Sequence, residues 1–179
     1  MTRSEEIKRL EQYAKGLGVN IHYRRHKRGD TDGAHITVLN SYTSEMVVFY
    51  DSRTTKTELI LKMIHELGHH LSWVYRGRQD SQALIDALIA ESYKKADQPP
   101  IPKPQRKLIY EMEKYDTKYW EFIITELGIK IKKNVLELER QLDIWVYRQY
   151  YLRGEFPNLK EVDVKRRQLA EKYAKKERA

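Results

Sequence analysis

Apolar positions recur along this chain with two different periods. From Ser4 to Leu17 the residues Ile7, Leu10, Tyr13, Ala14 and Leu17 return every three or four positions, which predicts an amphipathic helix with Ser4 as its N-cap and Gly16 and Gly18 near its end. The period then drops to two. Val19 to Tyr23 and Ala34 to Leu39 alternate apolar and polar, and Glu45 to Tyr50 contains the β-branched and aromatic run Met46-Val47-Val48-Phe49-Tyr50. Turns are expected over 28–33, rich in Gly and Asp, and over 40–44. These segments predict three short antiparallel strands, and the last of them could serve as an edge to which an extended peptide adds as a further strand, ordinary sheet core being its other role.

From Thr55 onward the helical period returns and holds to the end. Leu59, Ile60, Met63, Ile64, Leu67, Leu71 and Val74 form one apolar surface of a helix from Thr55 to Tyr75, opened by a Thr55/Glu58 capping box and closed at Arg76-Gly77. Ser81 to Ala96 repeats the pattern through Leu84, Ile85, Leu88 and Ile89. Pro99, Pro100, Pro102 and Pro104 then supply four of the five prolines, which predicts an extended connector rather than helix, with a PxxP ligand as the alternative. Helices are expected at Gln105–Leu127, broken by Gly128, at Val135–Leu152, ended near Gly154 and Pro157, and at Leu159–Lys176. No repeat is present. The predicted class is α+β: a small three-stranded antiparallel sheet packed on the 55–75 helix, then a mostly helical C-terminal half. A chain of 179 residues suits one domain over 1–179, divided into 1–54, 55–130 and a helical extension over 131–179.

Within the apolar run of the 55–75 helix stands Met63-Ile64-His65-Glu66-Leu67-Gly68-His69-His70-Leu71. Residues four apart on a helix share a face, so His65 and His69 are placed to close on one tetrahedral metal, while Glu66 reaches a water as general base. Gly68 gives the crowded metal face room. The other explanation is two satisfied core histidines on a buried helix, but a chance match does not usually sit inside such an apolar, capped helix. His70 points about 100° away from His69 and reads as a neighbour of the site or as surface.

Composition narrows the ligand set. There is no cysteine, so thiolate ligands and disulfides are excluded and a metal must be held by nitrogen and oxygen. No apolar run approaches the roughly 20 residues that span a bilayer, and Thr2-Arg3-Ser4-Glu5-Glu6 lacks a signal-peptide core, so a soluble cytoplasmic protein with no membrane contact is expected. The net charge of +8 has two concentrations: Arg24-Arg25-His26-Lys27-Arg28, and the stretch 162–179 with seven Lys/Arg against three acids. The second permits nucleic-acid contact through a basic tail and is equally explained by a solvated helix face.

A catalytic zinc site takes three protein ligands and leaves a position open. A third His placed by the pattern of a helix breaking at Gly after the second ligand is absent, since Ser72 and Tyr75 occupy those places. His22, His26 and His35 precede the helix in strands or turns. An acid from a later helix fits better. Glu113 and Asp116 lie on or beside the apolar face made by Ile109, Met112, Tyr119, Trp120 and Ile123, and Glu111 points toward solvent. Glu113 is the chosen third ligand, with Asp116 as an orienting carboxylate or alternative ligand, Glu91 as the main rival and Asp86 behind it.

The strand Met46–Tyr50, the helix with Ile64-His65-Glu66-Leu67-Gly68-His69 and the helix around Glu113 resemble the gluzincin-like zinc metallopeptidases of the ImmA/IrrE kind, small intracellular or phage-encoded proteins. In that group a Glu on a later helix completes the site, commonly as ExxA followed by Asn, Asp or an aromatic; here Glu113 is followed by Asp116 and Thr117. The resemblance implies one Zn2+ and a peptide substrate in a protein partner, often a transcriptional regulator. Amide hydrolysis is then the expected reaction, with Glu66 moving the proton from the attacking water to the leaving nitrogen. Tyr110, Tyr115 and His70 are the candidates for an oxyanion donor. A nucleic-acid- or regulator-binding module that retains the metal site without proteolysis is the alternative.

Overall fold

The computed structural model describes residues 5–25, 34–38, 43–52, 54–75, 82–94 and 98–176. In chain order the elements are α1 (Glu5–Gly16), β1 (Val19–Arg25), β2 (Ala34–Val38), β3 (Ser44–Tyr50), α2 (Lys56–Tyr75), α3 (Gln82–Ser92), α4 (Lys103–Asp116), α5 (Lys118–Glu126), α6 (Lys133–Arg153) and α7 (Leu159–Lys176). The Ser4 cap, the 28–33 turn, His26, the side chain of His35 and the Arg76-Gly77 stop lie outside the described residues. Internal contacts gather into two units, Met1–Arg76 with Asp116–Ile131, and Gly77–Tyr115 with Lys132–Ala179. Among the described residues no helix is long and apolar enough to cross a membrane.

In the first unit the sheet departs from the expected antiparallel arrangement. Its order is β1-β3-β2, and β1 runs parallel to β3 from Val19↔Ser44 to Arg25↔Tyr50, while only β2 is antiparallel to β3. The reason is that alternation is blind to direction: reversing a strand leaves its inward-facing set unchanged, so the pattern that locates a strand says nothing about which way it runs. The central position of β3 is legible from its burial instead, because Met46, Val47 and Val48 are buried at consecutive positions. Among the described residues β3 therefore has neighbours on both sides over Ser44–Val48, which leaves that stretch no free edge for an added peptide.

One face of this unit is closed by helices. In α1, Ile7, Leu10 and Ala14 turn inward as their spacing requires, and Gly18 at φ 78° reverses the chain into β1. The start of α2 is fixed by a reciprocal cap, with the Thr55 N–H donating to Glu58 Oε2 at 2.6 Å and the Glu58 N–H donating to Thr55 Oγ1 at 3.2 Å. Ile60, Leu61, Met63, Ile64, Leu67 and Leu71 are buried along α2, each worth about 1.5–3 kcal/mol of transfer from water. Trp120 and Ile123 of α5 are buried as well.

The single helix expected over 105–127 is two helices. It starts earlier, at Lys103, because Pro104 falls in the first turn, where a missing N–H has no intrahelical partner to lose. It stops at Asp116, and α5 begins after Thr117, whose carbonyl accepts from the Trp120 N–H at 3.3 Å. Apolar spacing alone does not register this break, since Met112, Trp120 and Ile123 continue the same period across it.

In the second unit, Leu84, Ala87, Ile101, Ile109 and Tyr150 form the core. Ile101 is thus buried inside the proline segment, while Arg106 donates to the Ile101 carbonyl at 2.8 Å and to the Tyr151 carbonyl at 3.2 Å. The extended connector is tied down by its own backbone. Tyr150 is fully buried and donates to Glu91; burial first, then the Glu91 carboxylate, pushes its hydroxyl well above the ordinary tyrosine value.

Candidate metal centre

Two imidazoles meet on α2. His65 Nε2 and His69 Nε2 are 3.0 Å apart, with ring centroids at 4.6 Å and planes at 84°. The other nitrogen of His69 is committed elsewhere, since Nδ1 lies 2.7 Å from Asp116 Oδ2 at the last residue of α4. A carboxylate only accepts, so the proton sits on Nδ1 and the Nε2 lone pair of His69 faces His65. Two nitrogens bound about 2.1 Å from one tetrahedral ion stand roughly 3.4 Å apart, so the observed separation is close to what a shared cation requires.

One helical turn before Asp116, on the same helix, stands Glu113, 4% exposed. His65, His69 and Glu113 each offer one ligand atom, and these atoms all lie within 4.8 Å of one another. Glu66 is also buried, with Oε1 3.9 Å from His65 Nε2. The set is two imidazole nitrogens and a carboxylate, with a second carboxylate beside them, which is a donor set that suits zinc.

The remaining acids have other partners. Glu91 accepts from Tyr150 and lies 3.6 Å from Lys94, and Asp86 accepts from Gln82 at 2.8 Å. Asp116 takes the orienting position on His69. Glu111 is half exposed and pairs with Lys114 at 3.7 Å. Of the oxyanion candidates, Tyr110 stacks on Tyr151 at 5.8 Å with planes 8° apart, and Tyr115 is half-buried. His70 is not on the surface. It is buried with Nδ1 3.1 Å from Ser44 Oγ of β3. Burial pushes its pKa below the ordinary histidine value, with the Leu17 backbone pulling the other way.

Two residues have contacts here that the sequence did not mark, Trp120 at the His65 ring and Ser44 at His70. The Trp120 ring lies 5.6 Å from the His65 ring, its plane inclined at 66°. Its place on the apolar face four positions after Asp116 was visible, but not that the face meets α2 at a histidine. Ser44 is the other; a lone serine at a strand start carries no signal for a buried hydrogen bond to His70. No family model, no curated protein and no solved structure matches the chain.

Proposed function

We propose that this chain is a zinc-dependent peptidase acting on a protein partner, with His65, His69 and Glu113 as the metal ligands and Glu66 as the general base. The observation that carries the reading is the convergence of the two Nε2 atoms at 3.0 Å with the buried Glu113 carboxylate in the same group. Two neutral imidazoles sharing one N–H also meet at that distance. The buried acid grouped with them favours a cation at the centre, because two imidazole nitrogens and a carboxylate oxygen are a donor set that zinc takes.

A zinc ion held there would supply a Lewis acid strong enough to bring the pKa of a water to about 7. The chain's own residues do the rest. Asp116 fixes the tautomer of His69 and so keeps Nε2 as the donor atom. Glu66, one residue beyond a ligand, is turned about 100° around α2 from His65, beside the ligand set rather than within it. There it takes a proton from the attacking water and returns it to the leaving nitrogen. The resemblance to ImmA/IrrE-type peptidases favours one dedicated protein substrate, such as a transcriptional regulator, over general digestion.

The test is Glu66→Gln. The amide keeps the volume, so fold and zinc content should match wild type, while cleavage falls by about 10² to 10⁴. Proteins of the native host should be offered alongside casein. A product made equally by both proteins refutes Glu66 as base; zinc-loaded wild type that cuts nothing across the host proteome refutes the peptidase.

A second reading, contact with nucleic acid, is favoured by one feature of the second unit. Trp145, Val164 and the cations Lys160 and Lys165 line an open groove of about 370 Å³ together with Glu161 and Gln168, and Lys165 Nζ stands 5.9 Å from the Trp145 ring centroid. An indole flanked by ammonium groups is the kind of surface on which an unpaired base stacks while its phosphates are neutralised.

A further inference from the structure

We propose that Gly68 is a positioning residue of the metal centre: it is the seat on which the break between α4 and α5 docks, and docking there brings Asp116 to His69 and Trp120 to His65. The inference rests on the metal-centre reading above. Gly68 lies in the interior of α2, one residue from a ligand, and among the described residues the glycines at positive φ are Gly18, Gly128 and Gly154, not Gly68. Its backbone conformation is open to any residue. A glycine in such a place weakens the helix relative to alanine, so its presence points to space rather than to conformation.

The space is occupied. A methyl group on Gly68 would stand 3.1 Å from the Asp116 carbonyl oxygen, 3.3 Å from Trp120 Cδ1 and 3.4 Å from Trp120 Nε1. All three contacts come from the short stretch that ends α4 and opens α5. The same two residues reach the histidines on either side: Asp116 Oδ2 to His69 Nδ1 at 2.7 Å, and the Trp120 ring to His65 at 5.6 Å between centroids. Thr117 between them is 2% exposed, so the stretch is enclosed where it meets α2. The closest of the three atoms is a backbone carbonyl and has no rotamer to escape into. A methyl at Gly68 therefore pushes the Asp116 backbone away by a few tenths of an ångström, and the 2.7 Å bond to His69 opens with it.

The experiment measures zinc affinity by competition with a chromophoric chelator, and the melting temperature of the metal-free protein, for wild type, Gly68→Ala, Asp116→Asn and the double variant. Gly16→Ala serves as the control, because a methyl there meets nothing within 4 Å. Gly68→Ala should bind zinc about 10-fold more weakly, the effect of disturbing a group that orients a ligand, with a melting temperature unchanged or raised. A merely structural glycine would lower stability and leave the affinity of the folded protein alone. In the Asp116→Asn background the further loss on Gly68→Ala should shrink, since both act through the same hydrogen bond. Equal zinc affinity for wild type and Gly68→Ala overturns the inference, as do losses that simply multiply in the double variant. Wild type that binds no zinc overturns the metal-centre reading itself, a different result from zinc-binding wild type with an equally competent Gly68→Ala. Should Gly68→Ala not fold, Gly68→Ala with Trp120→Leu removes two of the three close contacts and is compared with Trp120→Leu alone. Reduced affinity against that reference supports the seat, and equal affinity refutes it.

Discussion

Replacing Glu113 by Gln separates a metal ligand from a structural acid, because only a ligand changes the stability that zinc adds. The side chain is 4% exposed, and glutamine keeps its volume while removing the charge. The metal-free melting temperature of each protein is therefore its own reference, and the zinc-dependent gain is the quantity compared. A ligand that binds only the folded state adds about 2.7 kcal/mol at 100 times its Kd, which for a chain of 179 residues raises the melting temperature by roughly 5–11 °C. If Glu113→Gln weakens binding by about 10-fold, the same zinc concentration is only about 10 times its Kd. The gain falls to about 1.4 kcal/mol, or roughly 3–6 °C. The assay is a thermal melt with and without zinc after chelator treatment, paired with a direct affinity titration. Glu111→Gln is the control, since Glu111 is half exposed beside Lys114 and should keep the full wild-type gain. An unaltered zinc-dependent gain in Glu113→Gln, or an equal loss in Glu111→Gln, refutes Glu113 as ligand.

The anchoring of α7 should depend on pH through Glu161. Its carboxylate is held below the ordinary 4.5 by the Arg153 guanidinium first and by the Asn158 N–H after it. The folded state therefore binds fewer protons than the unfolded one in this range, so the contribution is complete above pH 4.5 and is lost as pH falls through the lowered value. Amide exchange at the start of α7 should speed up on acidification in wild type and lose that dependence in Glu161→Gln, whereas an identical profile in both would refute the assignment. For the groove on α6 and α7, wild type should bind a single-stranded oligonucleotide at low salt with a logarithmic salt slope, and Lys160→Glu should flatten that slope. Absence of binding at low salt, or binding that Trp145→Leu leaves intact, removes base stacking from consideration.

What the sequence disclosed was what period and capping chemistry encode. The Thr55/Glu58 box, the apolar face of α2 and the extent of α7 are local properties, written within one or two turns, and the structure has them where the pattern puts them, except that Val74 near the end of α2 is exposed. The direction of β1 against β3 is a pairing choice between segments, and alternation looks the same from either end of a strand. The break at Thr117 was invisible for a related reason: the apolar period runs through it, and what marks it is the docking of Asp116 and Trp120 on Gly68.

The choice of Glu113 as the proposed third ligand shows how far such reasoning reaches. Helical spacing selects acids on inward faces, and position on the face put Glu113 first, with Asp116 as orienting group or alternative, Glu91 as main rival and Asp86 behind it. What each acid meets across space is a separate matter that spacing does not encode. Glu91 meets the Tyr150 hydroxyl and Lys94; Asp116 meets a histidine nitrogen 47 positions away. Once Asp116 is fixed to the back of His69, helix geometry follows. A residue three positions earlier lies on the same face of α4, one turn along, so an acid there is carried to the front of the same histidine pair. On the proposal made above, Glu113 would depend on Asp116 for its place in the ligand group, and Asp116 on the room left at Gly68. The metal affinity of the centre should accordingly respond to Gly68 and Asp116 as well as to the residues that would touch the ion.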